Sequence, residues 1–362
     1  MDFRYSTEQD DFRASLSGFL QDVAPLAHVR DAAGHDPTVW QRLCTEMELP
    51  GLHVPVEYGG AGATLVGAAI AFGELGRALT PVPLAATTFA IEAVLRTGDE
   101  EQRTRLLKGL LRGEQIGALA VAGPRDCDPS AAPVHAHRDG GRTVLTGVCG
   151  PVLHGHIADL FIVPAVTDGE VMLHVVAADD PGVTVVSLPS FDITRPVARV
   201  ELTQAPAEVL TAGSADDIER TLDIARVLLA AEMLGGAEAC LAMTVEYACN
   251  RMQFGRPIGS FQAVKHICAD MMIEIDATRA AVMYAAMSAS DDHELQIVGP
   301  LAKAQAADTF ALCAGSAIQA HGGIAFTWEH DVHLFFRRAT TTKALFGGSR
   351  HHRRLLADRA GL

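Results

Sequence analysis

Apolar residues change their spacing twice along the chain. Up to about residue 115 they recur with a helical period. Val39, Trp40, Leu43, Met47 and Leu49 form one stripe, and residues 66–79 and 87–95 read as apolar helices. Ser6-Thr7-Glu8-Gln9 opens a first helix, and Gly98-Asp99-Glu100-Glu101 starts a last one that ends near Gly113-Glu114. Residues 55–62 break any period with glycines and read as a loop. From Ile116 the pattern shortens into β-prone runs at 116–122, 143–146, 159–165, 171–177, 183–186 and 198–202. Gly, Pro and Asp separate them, which predicts an antiparallel sheet or barrel.

At Ser214 the helical period returns. Ser214 can cap a helix whose first turn carries Asp216 and Asp217. That helix runs to about Arg251 and is stopped by Gly255 and Pro257. Ser260 can cap a second, reaching about Ser288. A third spans about 295–321 and stops at Gly322-Gly323. Thr327 can cap a fourth, which ends at Gly347-Gly348 before an Arg/His-rich tail. Long helices with short connections make an antiparallel bundle. The expected fold class is α+β multidomain: an N-terminal α-helical domain over 1–115, a middle antiparallel β domain over 116–213 and a C-terminal four-helix bundle over 214–362.

Composition narrows the function classes. The 362 residues suit two to three domains, and 49% hydrophobic against 20% charged residues suits a globular chain. Acids outnumber bases 44 to 29, a net charge of −15 that argues against a nucleic-acid binder. The opening MDFRYSTEQDDFRASL is charged and predicts no signal peptide. The apolar stretches are cut by Arg, Glu or Gly short of the ~20 residues of a membrane helix. Seven cysteines form no CxxC pair, and their odd number argues against a disulfide framework. Cys240, Cys249 and Cys313 read as packing residues in apolar helices. A cytoplasmic protein without membrane or nucleic-acid partners is the expectation.

Two segments carry candidate chemistry. In the first, residues 251–262, Arg251 closes a helix and is followed by a turn and a new helix start. A guanidinium fork beside free backbone N–H groups suits a phosphate or pyrophosphate, although an Arg there can also simply complement the helix dipole. In the second, residues 319–330, Gln319 offers an amide and Gly322-Gly323 lets another backbone or a ligand come close. His135/His137, His154/His156 and His330/His333 have loose metal-like spacing, but no Cys or carboxylate cluster completes a site, so no metal is expected. Residues 327–331 read as a helix start with Trp328 packed in the bundle, or alternatively lining an acyl pocket.

Together on this layout, the two segments resemble the acyl-CoA dehydrogenase family of flavoproteins across the whole chain. Residues 55–62, Glu74-Leu75-Gly76-Arg77-Ala78-Leu79 and the stretch from Gly98 to Glu114 add to the likeness. The resemblance implies FAD at a subunit interface, one chain holding the isoalloxazine and its neighbour the ADP half. The residues it assigns to the ADP half are Arg251, Gln253, Phe254, Phe261, Gln262, Gln319, His321, Gly322 and Gly323.

The departures fall on the ring and on the base. Where the family has an Ala-Leu-Thr-Glu-Pro-like segment, this chain has Ala120-Val121-Ala122-Gly123-Pro124, so Ala122 and Gly123 replace hydroxyl and carboxylate. Where the family has Lys-x-Trp/Phe-Ile-Thr/Ser, it has Cys149-Gly150-Pro151-Val152-Leu153. Abstraction of an α-proton needs a carboxylate in a dry pocket. By resemblance, Phe346 holds the commoner base position and Ala225 the alternative one, so no catalytic residue is assigned.

This split is similar to the smaller subunit of actinobacterial heterotetrameric acyl-CoA dehydrogenases, several of which oxidise steroid side-chain thioesters. It implies a larger catalytic partner (two chains of each), an acyl-CoA substrate and electron-transfer flavoprotein as acceptor. Two alternatives stay open: a self-sufficient flavin enzyme with a relocated base such as Glu232, and a flavin-free scaffold. The six bases between Arg337 and Arg354, with no acid among them, read as a solvated face or as an electropositive strip near phosphates.

Overall fold

The computed structural model describes residues 3–121, 134–167 and 169–362. Local polar side chains set the helix starts of the N-terminal domain. In α1 (Thr7–Val23), Ser6 and Gln9 exchange side-chain bonds with each other's backbone N–H, closing a capping box. After the single turn α2 (Leu26–Val29), α3 (Pro37–Thr45) starts on Asp36, whose Oδ1 accepts from the N–H of Thr38 and Val39. The predicted stripe is therefore cut short. Val39, Trp40 and Leu43 are buried on α3, while Glu48 turns the chain at φ 50° before Leu49. Two apolar helices follow, α4 (Leu65–Ala78) and α5 (Leu84–Thr97), and then α6 (Glu100–Leu111), with a second box between Asp99 and Gln102.

The β domain comprises β1 (Gly117–Leu119), β2 (Val134–Asp139), β3 (Arg142–Leu153), β4 (Leu160–Thr167), β5 (Glu170–Ala177), β6 (Val183–Leu188) and β7 (Val197–Val209). Pairings run β2–β3–β7–β5–β4 and back to β2, closing a barrel, with β1 added on β4 and β6 on β7. Most pairings are antiparallel, but β4 takes β1 and β2 in parallel. Strand β2 has no counterpart in the hydrophobic pattern, because past Val134 its residues are mostly exposed and polar. The signal that marks it is Gly140-Gly141, at φ 54° and 87°, the positive-φ pair of a tight hairpin.

The C-terminal bundle holds α7 (Ala215–Asn250), α8 (Gln262–Met287), α9 (Asp292–His321), α10 (Val332–Ala344) and α11 (Ser349–Arg359). Ser214 caps α7 in a box with Asp217. Ser260 caps nothing, and α8 begins after Phe261 without a side-chain cap. Thr327 bonds back to the carbonyl of Ile324, and α10 starts only after Asp331. The Arg/His-rich tail is itself a helix, α11. By length and composition α7 could cross a membrane, yet 78% of its most apolar 18-residue stretch is buried inside the protein.

Helix α7 is the axis of the molecule, and glycines let its neighbours reach it. A Cβ on Gly235 would lie 1.8 Å from the carbonyl oxygen of Gly73 on α4, and one on Gly236 would lie 2.4 Å from the Phe310 ring on α9. At the same level a buried ionic cluster joins the β domain to the bundle. Arg338 of α10 binds Asp192 at 2.7 Å and Glu232 of α7 at 2.7 Å, and donates to the carbonyl of Thr194 at 3.0 Å. Arg195 also binds Glu232 and donates to Thr342 Oγ1 at 3.0 Å. All four charged groups are buried.

Removing one member leaves its partners charged and dry. Arg338→Met is expected to destabilise the protein by about 3–5 kcal/mol in urea unfolding, against little effect for Arg350→Met on the exposed face of α11.

Two histidines add a pH dependence. Burial pushes His154, whose ring meets the Gly34 carbonyl at 3.1 Å, down to about 3. Burial, with Lys303 and Arg226 nearby, pushes His352 down to about 2. Below the unfolded value of ~6.5 the unfolded chain takes up protons that the folded chain refuses, so stability falls as pH falls, by about 1.4 kcal/mol per unit for each. Between pH 6.5 and 5 the two are expected to remove about 3 kcal/mol. His352→Gln is expected to reduce that loss by about 2 kcal/mol in parallel unfolding curves.

Candidate functional site

Helix α7 ends at Asn250, so Arg251 sits just past its last turn in extended backbone. The next residues form a minimal hairpin, Met252–Gln253 paired with Arg256–Pro257. Its turn is Phe254-Gly255, at φ 51° and 77°. A bulky residue is rarely held in that region, and here the Phe254 ring is 91% exposed on the tip. Phe261 lies edge-on to it at 6.1 Å and under the Arg256 guanidinium at 4.0 Å. Gln262 opens α8, exposed.

The second segment closes α9. Gln319 is exposed in its last turn, and His321 is buried at its end. The His321 ring donates from Nδ1 to the Ala317 carbonyl at 2.7 Å, leaving its buried Nε2 without a partner. It stacks on Tyr247 of α7 at 4.4 Å and meets the edge of His330 at 4.6 Å. This stack joins the ends of α7 and α9, bringing the two segments together. Sequence reading missed Tyr247, although an aromatic one helical turn before Arg251 faces the same side. Gly322 has φ 65° and ψ −139°, a conformation open essentially to glycine alone. A Cβ on Gly322 or Gly323 would meet nothing within 4 Å, so the face beyond them is open. The side chains of Arg251, Gln253, Gln262 and Gln319 are exposed, with no hydrogen bond or ion pair to a described residue.

A separate cavity of 370 Å³ lies between the barrel and the end of α10. Val121, Pro151 and Leu153 form one wall and Phe346 another, and no carboxylate lines it among the described residues. Phe346 is held at φ 52° with its ring edge-on to the buried Phe89 at 5.5 Å. The departures at Cys149–Leu153 and at Phe346 thus border one space. Ala122 and Gly123 lie outside the described residues. Ala225 is buried in α7 and does not line the cavity.

Comparison with known proteins identifies this arrangement. The acyl-CoA dehydrogenase N-terminal domain matches residues 6–114 and the acyl-CoA dehydrogenase C-terminal domain residues 215–361. The chain belongs to the acyl-CoA dehydrogenase family. It is 35% identical to acyl-CoA dehydrogenase IpdE2 of Mycolicibacterium smegmatis, over 98% of this chain and 99% of that protein. Among solved structures it is similar to the ChsE4–ChsE5 complex of Mycobacterium tuberculosis, with TM-score 0.92, 29% identity and coverage of 100% and 99%. It is also similar to a Tcur3481–Tcur3483 steroid acyl-CoA dehydrogenase variant, with TM-score 0.90, 29% identity and coverage of 98% of each chain.

The two regions offer a dinucleotide cofactor such as FAD different chemistry. The surface around Arg251, Gln319 and Gly322 fits a diphosphate and its sugar: a cation and amides with no side-chain partner among the described residues beside an open glycine face. The cavity walls fit a polar flavin edge poorly, because apolar side chains dominate them.

Glu232 cannot serve as a relocated base. Burial pushes its pKa up, but Arg195 and Arg338 outweigh that and hold it below the usual carboxylate range. It faces a pocket of 20 Å³ beside Phe72 and His154, not the cavity. Among the other sequence expectations, Trp328 is 58% exposed rather than packed in the bundle, since the chain at 327–331 stays outside α10. Cys249 is exposed, on the outward face of α7. The basic run from Arg337 is broken up: Arg338 is buried, while Lys343 and Arg353 bind Asp308 at 2.8 and 2.6 Å.

Backbone conformation and open space make opposite predictions at the two glycines. Gly322→Ala is expected to cost about 1–3 kcal/mol in thermal or urea unfolding. Gly323→Ala is expected to be neutral or slightly stabilising.

Proposed function

We propose that this chain is the non-catalytic subunit of a hetero-oligomeric acyl-CoA dehydrogenase, completing the ADP end of an FAD carried mainly by a larger partner. The observation that carries this reading is the contrast between the two ends. Among the described residues, Arg251, Gln253, Gln262 and Gln319 stand exposed without side-chain partners beside Gly322 and Gly323, and no carboxylate lines the cavity that Phe346 walls.

In this reading Arg251 pairs with the diphosphate, and the amides of Gln253, Gln262 and Gln319 meet phosphate or sugar oxygens. Phe254 and Phe261 cover the nucleotide, and His321, fixed by Tyr247, sets the angle of the Gly322 turn. When bound, FAD supplies the acceptor for the hydride leaving the acyl β-carbon. The α-proton goes to a carboxylate of the partner, because a phenyl or methyl side chain at Phe346 or Ala225 cannot take it. The names of the ChsE4–ChsE5 complex and of the steroid acyl-CoA dehydrogenase variant support an unlike partner chain and a steroid-type CoA thioester. Electron-transfer flavoprotein as acceptor, a two-by-two assembly and the cytoplasm complete the proposal.

The test is to express this chain alone and with its partner and to measure flavin absorbance and dehydrogenase activity. One FAD per pair of unlike chains and an inactive, colourless chain alone are expected. Arg251→Ala is expected to weaken FAD retention by the complex about 10- to 100-fold, the worth of one charge-assisted bond. A yellow, active homomer overturns the reading. Unchanged flavin in the Arg251→Ala complex favours a flavin-free scaffold instead.

A further inference from the structure

The aromatic residues just past the Gly322 turn are left unused by the proposed FAD contacts. Phe326 is 80% exposed and Trp328 58%, while Phe191 from the loop between β6 and β7 and Phe336 from α10 are 49% and 40% exposed. These rings are not scattered. All four line one open depression of 440 Å³. Arg337 stands among them, its guanidinium 4.7 Å from the centre of the Phe191 ring and 5.2 Å from that of Trp328. Its Nη1 donates to the Phe191 carbonyl at 3.0 Å, and no carboxylate pairs with it among the described residues. The other two cations of α10 each have one, Arg338 in Asp192 and Lys343 in Asp308. His333 meets the Trp328 ring edge-on at 4.8 Å, and neither of its buried ring nitrogens has a hydrogen-bond partner among the described residues. Single exposed apolar residues are ordinary, but Trp and Phe rings grouped round an Arg are the composition of the centre of a protein–protein contact.

We propose that this depression seats the larger partner chain, through an apolar segment that brings a carboxylate to Arg337. The proposal rests on the reading of this chain as the subunit that completes its partner's FAD. Position and charge select this occupant. Phe326 closes the five-residue turn that opens with Gly322 and Gly323, so the depression begins within about 8 Å of the face assigned to the diphosphate. A chain that carries the rest of that cofactor meets these rings as it docks. A second copy of this chain, meeting the depression with its own, would set Arg337 against Arg337 with no carboxylate on either wall among the described residues. Covering a guanidinium without facing it with an acid is costly, so the segment that seats here is acidic as well as apolar.

The experiment dilutes the co-expressed complex and follows its dissociation by mass photometry. Trp328→Ala is expected to raise the dissociation constant about 30-fold, and the exposed Phe326→Ser about 10-fold. Arg337→Met, which keeps an apolar stem and removes the charge, is expected to raise it about 10-fold or more. Val56→Ser, at a 71% exposed position of the N-terminal domain, is expected to leave it unchanged. Assembly unchanged in the Phe326→Ser/Trp328→Ala double variant, with circular dichroism showing the variant chain folded, overturns the proposal. Assembly unchanged in Arg337→Met overturns the acidic segment. A dimer of this chain alone that the double variant takes apart overturns the choice of partner. Flavin separates this proposal from the reading beneath it. A yellow, active homomer overturns both, whereas FAD retention that depends on Arg251 in a complex indifferent to the double variant overturns this one alone.

Discussion

Four buried charges hold the β domain onto the bundle. Arg195 and Asp192 come from the loop between β6 and β7, Glu232 from the middle of α7, and Arg338 from α10. Each carboxylate meets guanidinium and each guanidinium meets carboxylate, so the cluster is neutral as a set and costly to divide. Its geometry fixes where the β6–β7 loop lies against α10, and hence the shape of the cavity between them. The same cluster takes Glu232 out of consideration as a base. A carboxylate whose Oε1 accepts from two guanidiniums stays ionised and is a weakened base.

Backbone contact at α7 works with this cluster. Gly235 and Gly236 let α4 and α9 approach closer than any side chain would permit. The bundle is therefore drawn tightly round one long helix, whose C-terminal end meets that of α9. Its C-terminal end carries Tyr247, which stacks on His321, so the Arg251 hairpin and the Gly322 turn share one face. Among the described residues, nothing engages the side chains of Arg251, Gln253, Gln262 and Gln319 on this face. The cavity at the end of α10, where Phe346 packs edge-on against Phe89, offers little but apolar wall. An open face of polar groups at one end and an apolar cavity lined by no carboxylate among the described residues at the other are the two features on which the proposed partner role rests.

Much of this was legible in the order of residues. The switches of period at Ile116 and Ser214 marked the changes from helix to strand and back, because burial of one face imposes a period of 3.6 or 2 on the chain. Caps at Ser6, Asp99 and Ser214 were readable because they act within one turn. Reading failed where a neighbour decides. Strand β2 is polar and is held by its pairing with β3, and Thr327 lost its helix because residues 322–326 take a tight turn first. Ser260 and the outward-facing Cys249 and Trp328 depended in the same way on which side of a helix or loop the bundle covers.

By itself, then, the sequence determined the succession of elements, the family and the identity of the residues kept and lost, all of which depend on residue type and local spacing. Only the tertiary structure decided what those residues can do. It put Glu232 into an ion cluster, brought Tyr247 against His321, and set Phe346 across the same cavity as Pro151 and Leu153. Those outcomes rest on groups 37 to 195 residues apart along the chain meeting in a dry interior, where pairing and packing rather than local preference set the free energy.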